Sequence, residues 1–226
     1  VMPAAVLVKL PDGIDDRQAA SMMLKGMTAR YLLRDTYAVK PGDTILFHAV
    51  AGGVGLIALQ WAKHLGATVI GGVSSDDDAR LAKSRGCDHT FVYSRENFVE
   101  RVKEITGGKG VPVVYDSVGK ATFPASLDCL SPRGLFVTFG NTSGPIGEMN
   151  PMLLAQKGSL FMTRPTLGHH TSTRAELEEA ANDLFDVVKN GHVKLEVKQS
   201  YALNEAARAH RDMEGRKTTG QTVLVP

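Results

Sequence analysis

The stretch Thr44–Gly66, TILFHAVAGGVGLIALQWAKHLG, constrains the rest of the chain most. It predicts a strand over Thr44–Ala49, a glycine-rich turn over Val50–Gly55 and a helix over Val54–Leu65. The helix rests on spacing. Val54, Ile57, Ala58, Trp61, Ala62 and Leu65 recur with a period of about 3.6 residues and form one apolar face. Lys63 and His64 fall in its last turn, where positive charge suits the negative end of the helix dipole, and Gly66 follows as a cap. A strand, a glycine turn and a helix start together make a diphosphate site. The helix start offers unpaired N–H groups and partial positive charge, and glycines let the backbone approach the ligand without a Cβ in the way. The positions of G-x-G-x-x-G are filled by Val50-Ala51-Gly52-Gly53-Val54-Gly55, so the first glycine is missing. The competing reading is a glycine turn that serves only helix–strand packing.

Composition places the chain among ordinary globular proteins. Its 226 residues allow one large or two modest domains, and 43% apolar and 22% charged residues fit a packed core with a solvated surface. A net charge of +2, with no run of Lys or Arg, excludes a nucleic-acid stripe. Cys87 and Cys129 stand apart with no C-x-x-C, which fits a reducing compartment and buried small apolar roles, not a disulfide framework or a zinc cluster. No charge falls between Thr44 and Ala62, yet His48, Gln60 and the glycines interrupt the run, so a membrane span is rejected. With no signal peptide, the expected location is the cytoplasm. The opening Val1-Met2-Pro3 reads as the middle of a longer chain.

The strand–helix pattern repeats. Strands are expected at Val6–Leu10, Thr68–Val73, Thr90–Tyr93, Val111–Tyr115, Gly134–Phe139 and Ser159–Met162. Helices are expected over Asp15–Tyr37 in two pieces broken near Gly26, then at Asp76–Arg85, from an Asn97 cap to Ile105, at Thr122–Leu130 and at Pro151–Gln156. Beyond Thr166 come a helix at Thr173–Asn190, a strand near Val193–Lys198, a helix at Asn204–Glu214 and a strand at Thr222–Val225. This alternation is the signature of an α/β fold, a Rossmann-like doubly wound parallel sheet with helices on both faces. Ligands of such sheets bind outside the carboxyl ends of the strands. Those ends are Val50–Gly55, Ser74-Ser75, Tyr93, Ser117–Gly119 and Phe139–Thr142, and they are expected to form one crevice.

The end of the second strand bears on the ligand. An NAD site places Asp or Glu there for the ribose 2′-OH. Ser74-Ser75 instead leaves room for a 2′-phosphate and favours NADP. Asp76-Asp77-Asp78 directly after would repel a phosphate unless they point to solvent, with Arg80 in position to compensate; NADH therefore stays open as the alternative cofactor.

Several longer stretches carry a family resemblance: KGMTARYLL at Lys25–Leu33, HAVAGGVGLIALQWAKHLGA at His48–Ala67, EITGGKGVPVVYDSVG at Glu104–Gly119, SLDCLSPRG at Ser126–Gly134, FGNTSG at Phe139–Gly144, QKGSLFMTRPTL at Gln156–Leu167 and AARAHRDMEGR at Ala206–Arg216. On these the chain resembles the zinc-independent, zeta-crystallin-like quinone oxidoreductases of the medium-chain dehydrogenase/reductase superfamily, over essentially its whole length. The resemblance implies hydride transfer from NADPH to a quinone or similar activated carbonyl, with no metal and with no general acid required. It places Thr28 by the nicotinamide, Gly52, Gly53 and Val54 at the diphosphate turn, Ser74 and Tyr93 around the adenosine ribose and its phosphate, and Phe139, Gly140 and Asn141 at the nicotinamide end, while the strand ends add Gly55, Ser75, Ser117 and Val118 to the same cofactor crevice. Arg216 matches a late cofactor contact. Asp78 stands where the family often has a lysine, which weakens the NADP expectation. The resemblance further implies a GroES-like N-terminal domain, of which residues 1–20 would be a remnant. Residues 21–165 would be the dinucleotide-binding domain, and residues 166–226 would return to the GroES-like domain and expose apolar surface in its absence. Relatives are typically homodimers joined through the sheet edge, here Phe161-Met162.

Other candidates read as structural. His48 is expected to be a hydrogen-bonded core histidine and Asp116 a turn former, and adjacent His169-His170 cannot easily share one ion. Two further classes remain: a non-catalytic NADPH-binding structural or regulatory protein, and a nucleotide-dependent methyltransferase, against which Ser74 argues.

Overall fold

The central strand β1 (Thr44–Phe47) lies between β2 (Thr68–Val73) and β4 (Val111–Asp116) in a computed structural model that describes residues 3–215, 217–218 and 220–226. With β3 (His89–Val92), β5 (Leu130–Thr138) and β6 (Phe161–Thr163) they form a six-stranded, all-parallel sheet in the order β3-β2-β1-β4-β5-β6. The order reverses between β1 and β4, and that switch point opens the crevice at the carboxyl edge. Both faces are covered. Ile45 and Phe47 of β1 join the core shared with Val69, Tyr115 and Val137, while Leu46 joins Ile70, Phe91, Val114 and Phe136 on the other face. A strand buried on both sides must be apolar throughout, as Ile45-Leu46-Phe47 is.

The crossovers follow the sequence pattern. Helix α2 (Gly53–His64) joins β1 to β2, and α3 (Asp76–Ser84) joins β2 to β3. Helix α4 (Phe98–Ile105) starts at Asn97, whose side chain accepts from the N–H groups of Val99 and Glu100. Helix α5 (Met152–Gln156) precedes β6, and the short helix α6 (Leu167–His170) follows it. Among the described residues no helix is long and apolar enough to cross a membrane.

Three expectations fail for identifiable reasons. Helix α1 (Asp16–Tyr31) runs unbroken through Gly26 and continues as a π-helical turn over Leu32–Thr36. Gly26 is a contact point, not a break: a Cβ there would lie 2.5 Å from Leu184 Cδ1 of α7 (Arg174–Lys189). Residues Val6–Leu10 form no strand, and only Ala4–Val6 make a short 3-10 turn. Their backbone is engaged by a side chain, since Arg174 donates to the carbonyls of Ala5 and Leu7. Thr122–Leu130 is not an α-helix but turns that end in a 3-10 segment, Ala125–Cys129. Pro124, which lacks an N–H, stands in its middle.

The C-terminal region forms its own small parallel pair, β7 (Val197–Ala202) with β8 (Gln221–Val225), flanked by α8 (Ala206–Glu214). β7 starts later than the expected Val193, because Val193 is buried and its N–H closes the end of α7 on Val187 O. Helix α7 is fastened to α1 by Arg30, a buried guanidinium that reaches Asp35, Glu179 and Asp183. Leu203, Met213 and Leu224 of this region are exposed, as are Val6, Leu7 and Leu24.

The Gly26–Leu184 contact yields a test. Gly26→Ala gains about 1 kcal/mol of helix propensity. It also drives a methyl into a packed core, which costs about 1–3 kcal/mol. A net loss in urea unfolding is expected. In a Leu184→Ala background the same substitution should be neutral or stabilising, because the opposing side chain is gone.

Candidate dinucleotide-binding site

The turn after β1 is set by backbone geometry. His48 N–H donates to Tyr115 O at 2.9 Å and Val50 N–H donates to Gly72 O at 3.1 Å, so the chain leaves the sheet pinned to both neighbouring strands. Ala49 then turns in the left-handed region, φ 53°. Gly52 caps α2 with no side-chain hydrogen bond, which leaves the first-turn N–H groups of Gly53, Val54 and Gly55 without a side-chain acceptor. Gly52 is exposed and Gly53 and Val54 half-buried, so this end of the helix is open to a ligand. Gly55 is buried and has a different part. A Cβ there would fall 2.5 Å from both Ala49 O and Val50 O, so this glycine lets helix and strand meet. An open helix start over bare glycines fits a dinucleotide diphosphate.

At the end of β2, Ser74 is exposed and Ser75 caps α3, accepting from Asp78 N–H at 3.1 Å. Two of the three acids that follow are partnered. Arg95 donates to both carboxylate oxygens of Asp76, at 2.6 and 2.9 Å, and Arg80 pairs with Asp77. The Asp76 carboxyl is held below the usual range chiefly by its hydrogen bond with Arg95. Arg95 is absent from the sequence reading, because only the fold brings it beside Asp76.

Tyr93 points inward. Its hydroxyl accepts from Ala49 N–H at 3.0 Å and meets His48 Nδ1 at 2.9 Å, so only the ring remains for a ligand. His48 Nε2 meets Ser126 Oγ at 2.9 Å, and Ser126 reaches Asp116 Oδ2 at 3.4 Å. Asp116 also accepts from Val118 N–H, Gly119 N–H and Thr122 Oγ1, at 2.7, 3.0 and 2.6 Å, and so holds the turn after β4. Burial pushes the His48 pKa down to about 4 and the Tyr93 phenol upward. Burial also pushes the Cys87 and Cys129 thiols up to about 12, which leaves both as inert core residues.

The loops after β4 and β5 are zipped together. Ser117 O accepts from Thr142 N–H at 3.1 Å and Val118 O accepts from Ser143 N–H at 2.8 Å. A Cβ on Gly140 would lie 2.7 Å from Ser117 O, so the two loops touch only because that residue is glycine. Phe139 packs on Phe47, ring centroids 5.7 Å apart, and Asn141 is exposed. Thr28 is half-buried on α1, with its hydroxyl spent on Leu24 O at 2.8 Å. Arg216 lies outside the described residues. His170 stacks on Tyr31 with centroids 4.6 Å apart. Among the described residues no group of three or more His, Cys, Asp or Glu could hold a metal ion.

The sequence reading also missed Lys25 and Gln221. Lys25 Nζ donates to Gln221 Oε1 at 2.6 Å, and Gln221 Nε2 donates to Gly53 O at 3.1 Å, which puts a lysine and the last strand on the glycine turn. The residues are 196 apart in sequence, so no local pattern shows it.

Residues 53–186, from the glycine turn through most of α7, match the zinc-binding dehydrogenase family. The chain belongs to that family, within the medium-chain dehydrogenase/reductase superfamily. Its relatives include quinone oxidoreductases. That of Pseudomonas aeruginosa is 56% identical over 226 residues, which cover 100% of this chain and 70% of that protein. A 2-haloacrylate reductase of Burkholderia is 52% identical over 229 residues, covering 99% of this chain and 68% of that protein. The crystal structure of Escherichia coli quinone oxidoreductase complexed with NADPH matches with a TM-score of 0.94 at 52% identity, covering 97% of this chain and 68% of that one.

His48 gives a pH prediction. Its native pKa of about 4 lies below the ordinary value of 6.5, so the unfolded chain binds a proton that the native state refuses. Stability from this group is complete above pH 6.5 and is lost as pH falls toward 4. The loss amounts to about 3 kcal/mol. His48→Asn should flatten that part of the pH–stability profile, measured by urea unfolding at each pH.

Proposed function

We propose that the protein is an NADPH-dependent quinone oxidoreductase that works without zinc. One observation carries the cofactor half of this reading: the uncapped start of α2 stands over Gly52 and Gly53 at the switch point of the sheet. The acceptor half is supported by 56% identity to the Pseudomonas quinone oxidoreductase.

In this reading Gly53 and Val54 bind the diphosphate through backbone N–H groups, Gly52, whose own N–H is donated to Ala49 O, leaves room for the ligand to approach, and Gly55 holds the helix in place. Ser74, Ser75 and the Tyr93 ring bound the adenosine ribose. Ser117, Val118, Phe139, Gly140 and Asn141 form the wall at the nicotinamide end, with Thr28 facing them from α1. When bound, NADPH supplies a hydride to an electron-poor acceptor. The chain's own residues orient the dinucleotide and exclude water from one side of it. A halogenated, conjugated acid is a second acceptor class, favoured by the 52% identity to the Burkholderia 2-haloacrylate reductase.

The preference for NADPH over NADH rests on Ser74, which puts no carboxylate at the end of β2, and on Arg95, which neutralises Asp76. Residues 1–20 and 166–226 belong in this reading with a GroES-like substrate domain, and residues 21–165 form the cofactor domain. The exposed Phe161 on edge strand β6 supports a homodimer joined through the sheet, and the two free cysteines support a location in the cytoplasm.

Fluorescence titration of the chain with NADPH and NADH tests the reading. NADPH should bind the tighter. Arg95→Ala, which leaves Asp76 unpaired, should cut the NADPH-to-NADH affinity ratio roughly tenfold. Binding of S-adenosylmethionine with neither dinucleotide would overturn the assignment.

A further inference from the structure

We infer that Lys25 is the cation that meets the diphosphate of the bound dinucleotide, and that Gln221 of the last strand holds it in place. The inference rests on the dinucleotide reading above and adds a charged residue to a turn otherwise made of backbone.

The placement is close. A Cβ on Gly53 would come within 2.9 Å of Lys25 Cδ, 3.0 Å of Cε and 3.1 Å of Nζ, so the lysine lies along the glycine turn. The ammonium donates to Gln221 Oε1 at 2.6 Å, and Gln221, only 3% exposed, is fixed by its own donation to Gly53 O. Burial pushes the Lys25 pKa below its ordinary value.

The electrostatics are unfavourable as they stand. The start of α2 carries partial positive charge, and a cation beside it is repelled. Half-buried lysines elsewhere in the chain meet a carboxylate, as Lys63 meets Asp88 and Lys157 meets Asp128. Among the described residues Lys25 forms no such ion pair, and its side-chain partner is a neutral amide. An anion over Gly53 would satisfy the helix start and the ammonium together. Two negative charges with oxygens on both sides of the turn, as in a diphosphate, fit that demand better than a single carboxylate. The competing role is a tether of β8 to α1, in which Lys25 contributes stability and touches no ligand.

Titration of three ligands separates these roles: NADPH, ADP (a diphosphate without nicotinamide) and adenosine 2′-phosphate (no diphosphate). Lys25→Met should weaken NADPH and ADP about tenfold and leave adenosine 2′-phosphate within about twofold. Lys25→Arg, which keeps the charge, should recover most of the ADP affinity. Gln221→Ala should show a smaller loss with the same ligand pattern. Should Lys25→Met not fold, Lys25→Gln carries the same comparison. Unchanged binding of all three ligands, or an equal loss of all three, overturns the proposal while wild-type NADPH binding leaves the dinucleotide reading intact. A wild-type chain that binds neither NADPH nor ADP overturns both.

Discussion

The approach of α2 to the end of β1 is the constraint on which the carboxyl edge depends. Gly55 faces the carbonyl oxygens of Ala49 and Val50 at a distance no Cβ could occupy. That contact brings the start of the helix to the switch point between β1 and β4. The same helix then buries Ile57, Ala58 and Trp61 in the core, so its position is held along its length and not only at the turn. A helix displaced by a methyl's width at Gly55 would still pack, but its N–H groups would no longer converge over Gly52 and Gly53.

Beneath the crevice the His48 network ties the ends of β1, β3 and β4 into one unit. Ser126, His48 and Asp116 include the residue types of a nucleophilic triad, yet the arrangement cannot serve as one. All three are fully buried, and Asp116 bonds to Ser126 and Thr122 but not to the imidazole. His48 is flanked by two hydroxyls, each of which can donate or accept, so a neutral ring is satisfied in either tautomer. The network is therefore structural. It fixes Tyr93 against Ala49 and fixes the Ser117–Gly119 turn through Asp116, and these are the positions from which the crevice walls start.

What was legible in the sequence was local. The β1–α2–β2 unit, the Asn97 cap and the apolar strands follow from periodicity and turn chemistry within a few residues. What failed was decided by partners far away in sequence. Gly26 read as a helix break because its lack of a side chain is answered only by Leu184. Val6–Leu10 has the pattern of a strand, but Arg174 takes the Leu7 carbonyl and that of the neighbouring Ala5. Asp76-Asp77-Asp78 looked hostile to a phosphate until Arg95 appeared across the loop. The glycines of the site were visible as a motif, whereas Lys25 and Gln221 were not, since a lysine in a helix and a glutamine in a short strand carry no signal of their own.

Those long-range partners share a pattern. The backbone groups that would hold a dinucleotide come from the local strand–turn–helix unit, which is common to the whole fold class. The charges around them come from elsewhere: Arg95 from beyond β3, Lys25 from α1, held by Gln221 of β8. Shape and charge at this site thus have separate origins in the chain. The turn can persist unchanged while residues outside it change what it prefers to bind. A motif search alone would therefore find the site but misjudge its electrostatics, and only the packed structure supplies the sign of the field at each end of the crevice.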